Sequence, residues 1–277
     1  MKVTIFLRKK LQGENSIEEL AYALAEECSN IQLCILPEFS ASLIGMFRNI
    51  IYARKHKGDV NHIFSVTEGY LCPFLAGKTI VTIHDIKTIK SLHSLGQCFA
   101  YIFWLIIPSI FWNYCTCISK QTYEEVLNII KWRRKTISII YNSYNPKIKA
   151  SSKISLSDPP IILHIGTALR KNLSNMIRAI EGIRCKLIIV GTLFKEQQRL
   201  LEEYSINYVN YIDLPFDDII ALYHQCDIVS FPSSYEGFGM PVIEAQAIGR
   251  PTIAGDIPIL RDVAGDAAIF VNPNDIE

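Results

Sequence analysis

The chain has 277 residues, enough for two domains of ordinary size. Hydrophobic residues make up 49% and charged residues 20% with no low-complexity stretch, which excludes a disordered or fibrous chain. A formal net charge of +1 lacks the basic excess of a nucleic-acid-binding domain, so no nucleic-acid partner is expected. The basic runs Arg8–Lys10, Arg54–Lys57 and Lys131–Lys135 read as solvated faces, an anionic membrane or acceptor being the sharper alternative. Eight cysteines scattered without a dense framework fit a reducing, cytoplasmic compartment. Cys115 and Cys117 share one face of a strand, but no second pair or histidine cluster completes a zinc site, so they read as core.

In chain order, Val3–Leu7 is a five-residue apolar run followed by Arg8, Lys9 and Lys10, the wrong order and length for a signal peptide, and reads as a first buried strand. Ser16–Cys28 is the clearest helix of the first half, with Ser16 and Glu19 spaced as a capping box. Ile31–Leu36, Ile63–Val66, Thr79–Ile83, Tyr114–Ile118 and Ile137–Tyr141 are predicted strands. The longest apolar segment, Cys98–Trp112, contains Pro108 and falls short of the roughly 18 residues of a spanning helix. Its aromatics Phe99, Tyr101, Phe103, Trp104, Phe111 and Trp112 read as a buried helix, with peripheral contact at the inner membrane face as the alternative.

A polar break, Asn142 to Pro160, divides the chain into a domain over 1–145, a linker over 146–158 and a second domain over 159–277. Beyond it Ile161–Ile165, Lys186–Val190, Tyr208–Ile212, Asp227–Phe231, Thr252–Ala254 and Ala268–Val271 read as strands. Helices are expected near Asn172–Gly182, Lys195–Tyr204, Asp217–Gln225 and Val242–Ile248. Strands separated by helices imply parallel pairing, so the expected class is α/β: two Rossmann-like, doubly wound domains facing a cleft at the carboxyl ends of their strands.

The chemistry concentrates in Phe231–Pro251. There a strand runs into a glycine-rich loop, Glu236-Gly237-Phe238-Gly239-Met240, then into a helix with Pro241 in its first turn and Gly249 at its end. Glycines admit a ligand close to the backbone, and a helix amino terminus favours an anion. Glu236 and Glu244 beside an anion site need another purpose, and carboxylates accept from paired sugar hydroxyls. Either glutamate alone would also fit a solvated helix start. A second loop, His164-Ile-Gly166-Thr167-Ala-Leu-Arg170-Lys171-Asn172, brings cations to a strand end, which suits a diphosphate. Together these groups suit a nucleotide-sugar.

The pair Glu236 and Glu244 in EGFGMPVIEAQAIGRP resembles the donor-binding signature of family 4 retaining glycosyltransferases of the GT-B fold. HIGTALRKNL (His164–Leu173), DIPILRDVAGDAAIFVNP (Asp256–Pro273) and TIHDI (Thr82–Ile86) resemble that family too. The resemblance implies that Glu244 accepts from the ribose hydroxyls. Glu236 would sit by the transferred sugar, and backbone groups of Gly237, Phe238, Gly239 and Met240 would hold sugar and phosphate. Arg170 and Lys171 would neutralise the leaving diphosphate, with Gly166 and Thr167 in the same loop. Tyr211, Ile212 and Leu214 fall where the family lines its base pocket, and His84 where it places a histidine against the sugar. Gly13 stands alone where relatives often carry a glycine pair near the diphosphate. Thr167 stands where many have arginine, so either Arg170 substitutes or one phosphate contact is missing. Relatives usually continue past the position of Glu277 into helices that pack back on the first domain, so the second domain is expected to be incomplete at its carboxyl end.

The resemblance implies hexosyl transfer from a UDP- or GDP-linked sugar to a glycan or lipid-linked acceptor in surface polysaccharide synthesis, with retention and by a front-side route. No cofactor or metal is expected, since the Asp-x-Asp triplet of metal-dependent transferases does not occur. The alternatives are a catalytically impaired nucleotide-sugar or glycan-binding scaffold, a GT-B sugar-nucleotide epimerase and a general nucleotide-binding module.

Overall fold

In a computed structural model, residues 1–9, 16–40, 42–90, 94–151 and 156–276 are described. They form two compact α/β units, Met1–Asn142 and Ser143–Glu277. The first runs β1 (Val3–Leu7), α1 (Ser16–Glu27), β2 (Ile31–Ile35), α2 (Leu43–His56), β3 (Val60–Ile63), a 3-10 helix (Val66–Phe74), β4 (Lys78–Ile83), α3 (Lys87–Lys90) and α4 (Ser94–Ala100). A π-helical turn (Tyr101–Ile106), α5 (Ile107–Phe111), β5 (Tyr114–Cys117), α6 (Lys120–Ile129), a second 3-10 helix (Lys131–Thr136) and β6 (Ile137–Ile139) complete it. Its sheet is parallel in the order β2-β1-β3-β4-β5-β6. That order reverses between β1 and β3, which makes their carboxyl ends a ligand crevice by topology.

The period of two along a strand builds both faces. Ile5 and Leu7 of β1 pack with Ala21 of α1 and Phe64. Phe6, between them, joins Ile63, Val81, Ile83, Cys115, Cys117 and Trp112 on the other face, so the two strand cysteines are core residues.

One expectation needs correction and another refinement. The strand expected at Ile63–Val66 lies at Val60–Ile63, where Val3 of β1 pairs with Val60. The apolar residues after it turn into the 3-10 helix because the hydroxyl of Ser65 accepts from Thr67 N and stops the ladder. The helix expected over Cys98–Trp112 runs unbroken from Ser94 to Phe111, with a π-helical turn over Tyr101–Ile106 in its middle. Pro108 lacks the N–H that a regular helix would aim at the carbonyl of Trp104, and that carbonyl faces Gly69, where a Cβ would collide with it. Leu105 and Trp112 are buried while Ile102, Ile110 and Phe111 are exposed. Among the described residues no helix is long and apolar enough to cross a membrane.

The second unit runs β7 (Ile161–Ile165), a 3-10 turn (Leu169–Lys171), α7 (Leu173–Ala179), β8 (Lys186–Val190), α8 (Lys195–Glu203), β9 (Tyr208–Tyr211) and α9 (Phe216–Gln225). It continues through β10 (Ile228–Phe231), α10 (Met240–Ile248), β11 (Thr252–Gly255), α11 (Pro258–Ala264) and β12 (Ile269–Val271). The parallel order β12-β11-β10-β7-β8-β9 reverses between β7 and β10, the arrangement of a dinucleotide-binding sheet. Leu187 and Ile189 of β8 face α7 and α8, while Ile188 and Val190 face α9 and α10. The described part of the polar break is tied to this unit: Ile148 is in its core, Ser151 N donates to Ile248 O, and Asp227 accepts from Ser157 N and Ile161 N.

Candidate functional site

The crevice between β7 and β10 receives the two loops singled out by the sequence. After β7 the chain turns at Gly166, at φ +92°, and a Cβ there would lie 3.0 Å from Cγ of Lys171. Glycine lets the lysine stem fold back over the turn. The 3-10 turn carries Arg170 and Lys171, and Asn172, left-handed at φ 64°, starts α7. After β10 the second loop is stitched to the first, because Ser234 N donates to Arg170 O at 2.9 Å. Gly239 begins α10 at φ +109°, and a Cβ there would strike Leu260. Phe238 is buried beside it.

These loops join charges 65 residues apart. Lys171 Nζ donates to Glu236 Oε1 at 2.8 Å and lies 4.4 Å from the ring centroid of Phe231, at the end of β10. Burial lowers the Lys171 pKa from its ordinary value, and the carboxylate of Glu236 opposes that shift. A buried ammonium with one carboxylate partner is a cation ready to meet a second anion. The amino terminus of α10 adds its partial positive charge to the same loop.

Glu244, buried on α10, accepts from Tyr223 Oη of α9 at 2.7 Å. Burial and the neighbouring Glu244 raise the Tyr223 pKa well above the ordinary value, so the phenol remains a donor. Arg250 holds the end of α9, donating to Tyr223 O, His224 O and Ser151 O at 3.0 Å each. The sequence pattern supplied no sign of Tyr223 or Arg250. Tyr223 fits the apolar period of α9, and its carboxylate partner is 21 residues away.

The other candidates are dispersed. Thr167 spends its hydroxyl on Thr192 O (2.6 Å), and its carbonyl accepts from Gln197 Nε2 (2.8 Å), joining the loop to α8. Tyr211 ends β9 and half-exposes its ring, Ile212 is exposed, and Leu214 packs partly against the core. His164, at the end of β7, is fully buried, and neither ring nitrogen has a partner among the described residues. Burial, then the Lys171 charge, lowers its pKa to about 4. His84, in the first unit just past β4, is buried with its ring 5.2 Å from Phe64 and Nε2 without a partner among the described residues. Burial, then His62 and Arg8, lowers its pKa to about 3. Gly13 lies outside the described residues. Among the described residues no three His, Cys, Asp or Glu side chains are grouped to hold a metal ion.

Two tandem Rossmann-like units define the GT-B class of fold, and solved structures of that class match the chain over nearly its whole length. HepE of Anabaena in complex with UDP-glucose has a TM-score of 0.79 at 13% identity, covering 100% of this chain and 87% of that one. WaaG, a glycosyltransferase involved in lipopolysaccharide biosynthesis, has 0.70 at 14% identity, covering 98% and 86%. Residues 146–277 match the family described as glycosyl transferases group 1. Similar curated proteins include O-antigen chain mannosyltransferase B of Escherichia coli, 33% identical over 129 residues (42% of this chain, 33% of that protein). O-antigen chain mannosyltransferase RfbU of Salmonella typhimurium is 27% identical over 217 residues (76% and 60%). The chain thus spans between a third and three fifths of the length of these two relatives.

Proposed function

We propose that the protein is a metal-independent, retaining glycosyltransferase that moves a hexose from a UDP- or GDP-linked sugar to a glycan or lipid-linked acceptor in surface polysaccharide synthesis, on the cytoplasmic side. The observation that carries this reading is the buried Lys171–Glu236 pair at the β7/β10 switch point, beside the amino terminus of α10. A diphosphate entering there gains Lys171, Arg170 and the helix terminus as counter-charges. Those groups stabilise the leaving group as its charge grows, which accelerates the bond-breaking step as well as binding the donor. Glu244 accepts from ribose hydroxyls, its second oxygen already held by Tyr223. Glu236 and the Gly237–Met240 backbone take the sugar, and Tyr211, Ile212 and Leu214 line the base. The attacking acceptor hydroxyl gives its proton to the departing phosphate on the same face, so no protein nucleophile is required. The names of the curated relatives make mannose the first sugar to test, and the UDP-glucose bound to HepE the second.

A thermal-shift screen against UDP- and GDP-sugars tests the donor assignment, since a ligand of the native state raises its apparent stability. Glu244→Ala is expected to lose the shift. Equal shifts for this variant and the parent across the panel would remove Glu244 from the site, and a hit without transfer to any glycan or lipid-linked acceptor would leave a binder in place of an enzyme.

A further inference from the structure

The turn after β12 is exposed at Asn272, Asn274, Asp275 and Ile276, yet Pro273 within it is buried. Its carbonyl accepts from two side-chain amides, Asn172 Nδ2 at 2.5 Å and Asn175 Nδ2 at 3.1 Å, which lie 101 and 98 residues away in the chain. Both asparagines belong to the start of α7, directly after Lys171. In the sheet β12 and β7 stand three places apart, so this clasp joins loops that leave distant strands. Each end of it is fixed independently. Arg178 Nη1 donates to Asn175 Oδ1 at 3.2 Å, which turns that amide so that Nδ2 faces Pro273, and Arg178 Nη2 reaches Glu196 of α8 at 3.4 Å. In the turn, Asn272 Oδ1 accepts from Asn274 N at 3.0 Å, and Asn272 O accepts from Asp275 N at 3.1 Å. Asn172 holds the left-handed backbone, φ 64°, that asparagine tolerates better than most side chains, and the bond to Pro273 is the only one its side chain makes among the described residues.

We propose that Asn172 and Asn175 are positioning residues for the Lys171 cation: by clasping Pro273 they fix the turn that carries it, so the segment after β12 sets how well Lys171 meets a β-phosphate. The inference rests on Lys171 being the diphosphate contact. Lys171 has its head on Glu236 and its stem over Gly166. A lysine stem is flexible along its whole length, so its Nζ keeps one place only if the backbone beneath it is fixed as well. Asn172 is the next residue, and its amide ties that backbone to Pro273. A clasp that merely held α7 in the unit would support every ligand of the crevice alike. One that aims Lys171 acts on the β-phosphate alone.

Calorimetric titration of the full chain with GDP, GMP, UDP and UMP tests this without any transfer reaction. The diphosphate of the base that binds should be favoured about tenfold over its monophosphate, since only the diphosphate reaches Lys171. The double variant Asn172→Gly/Asn175→Ala removes both amides, and glycine keeps the left-handed backbone. In it the preference should fall to within about twofold, with monophosphate affinity unchanged. Asn175→Ala alone should give a smaller loss in the same direction. An undiminished preference in the double variant would overturn the proposal, and so would equal weakening of diphosphate and monophosphate, which makes the clasp purely structural. Lys171→Met separates this from the donor assignment. It should abolish the preference by itself; if it does not, or if none of the four nucleotides binds, the diphosphate contact is misassigned and the proposal falls with it. A preference lost in Lys171→Met but kept in the double variant overturns the clasp alone.

Discussion

The carboxyl edges of the two sheets share a topology and differ in chemistry. At the first, charge is neutralised in place: Arg8 pairs with Glu18 at 3.0 Å, and the buried Glu68 accepts from Ser40 (3.0 Å) and Thr67 (2.6 Å), burial raising its pKa toward the neutral acid. What is left without a hydrogen-bond partner there among the described residues is one oxygen of Glu18 and a ring nitrogen of His84. At the second, a buried cation is hydrogen-bonded to one carboxylate among the described residues, and a second carboxylate nearby is held by a neutral phenol. The difference teaches that parallel sheets supply a crevice wherever their order reverses, while the residues in the loops decide whether the crevice attracts an anion.

Lys171→Met should break this contrast most severely. It strands the buried Glu236, which costs about 3–5 kcal/mol, and removes a counter-charge to the leaving group, lowering the transfer rate about a hundredfold or more. Thermal denaturation and steady-state kinetics read the two losses. The double variant Lys171→Met/Glu236→Gln should regain Tm but not rate; recovery of both would make the pair purely structural. In the first unit, Glu68→Gln should cost under about 1 kcal/mol, because the amide replaces a carboxyl that burial already pushes toward its neutral form.

Acid should destabilise both units. The pKa values of His84, His62 and His164 fall from 6.5 in the unfolded chain to about 3, 4 and 4 in the folded one, each chiefly through burial. Below pH 6.5 the unfolded chain therefore binds more protons, so stability is complete above that pH and declines from there toward pH 4. The slope is about 1.4 kcal/mol per pH unit for each histidine. Tm measured between pH 7.5 and 4.5 checks this, and His164→Phe should flatten the slope by about one third.

Tyr223→Phe sharpens the contrast at smaller scale. It removes one 2.7 Å hydrogen bond to Glu244 with little change in packing, so the donor KM should rise about tenfold while kcat stays within about twofold. The smallest effect belongs away from both edges: Arg199→Ala breaks the exposed pair with Glu203 and should change stability by under about 0.5 kcal/mol.

Much of the fold was legible locally. β1, β7 and β8 begin and end at their predicted residues, because short β-branched runs between polar turns leave little choice. α2 went unseen for a physical reason. Its inward face is Gly45, Met46, Asn49 and Ala53, with Asn49 bonding Glu38 and Tyr70, so the helix has no strong inner apolar stripe, and Leu43, Ile44, Phe47 and Ile51 point outward. The site was legible as two loops with suggestive charges. Tyr223 and Arg250 were not, because one reads as core and the other as the end of a motif.

By itself, the sequence determined the alternation of strands and helices, the glycines at Gly166 and Gly239 that admit close approach, and the family motifs on the two loops, since each depends on residues near one another in the chain. Only the tertiary structure decided that β7 and β10 are neighbours, that Lys171 meets Glu236, and that Glu244 is held by Tyr223. Strand order and the pairing of distant charges are set by packing across the sheet, which no local pattern encodes.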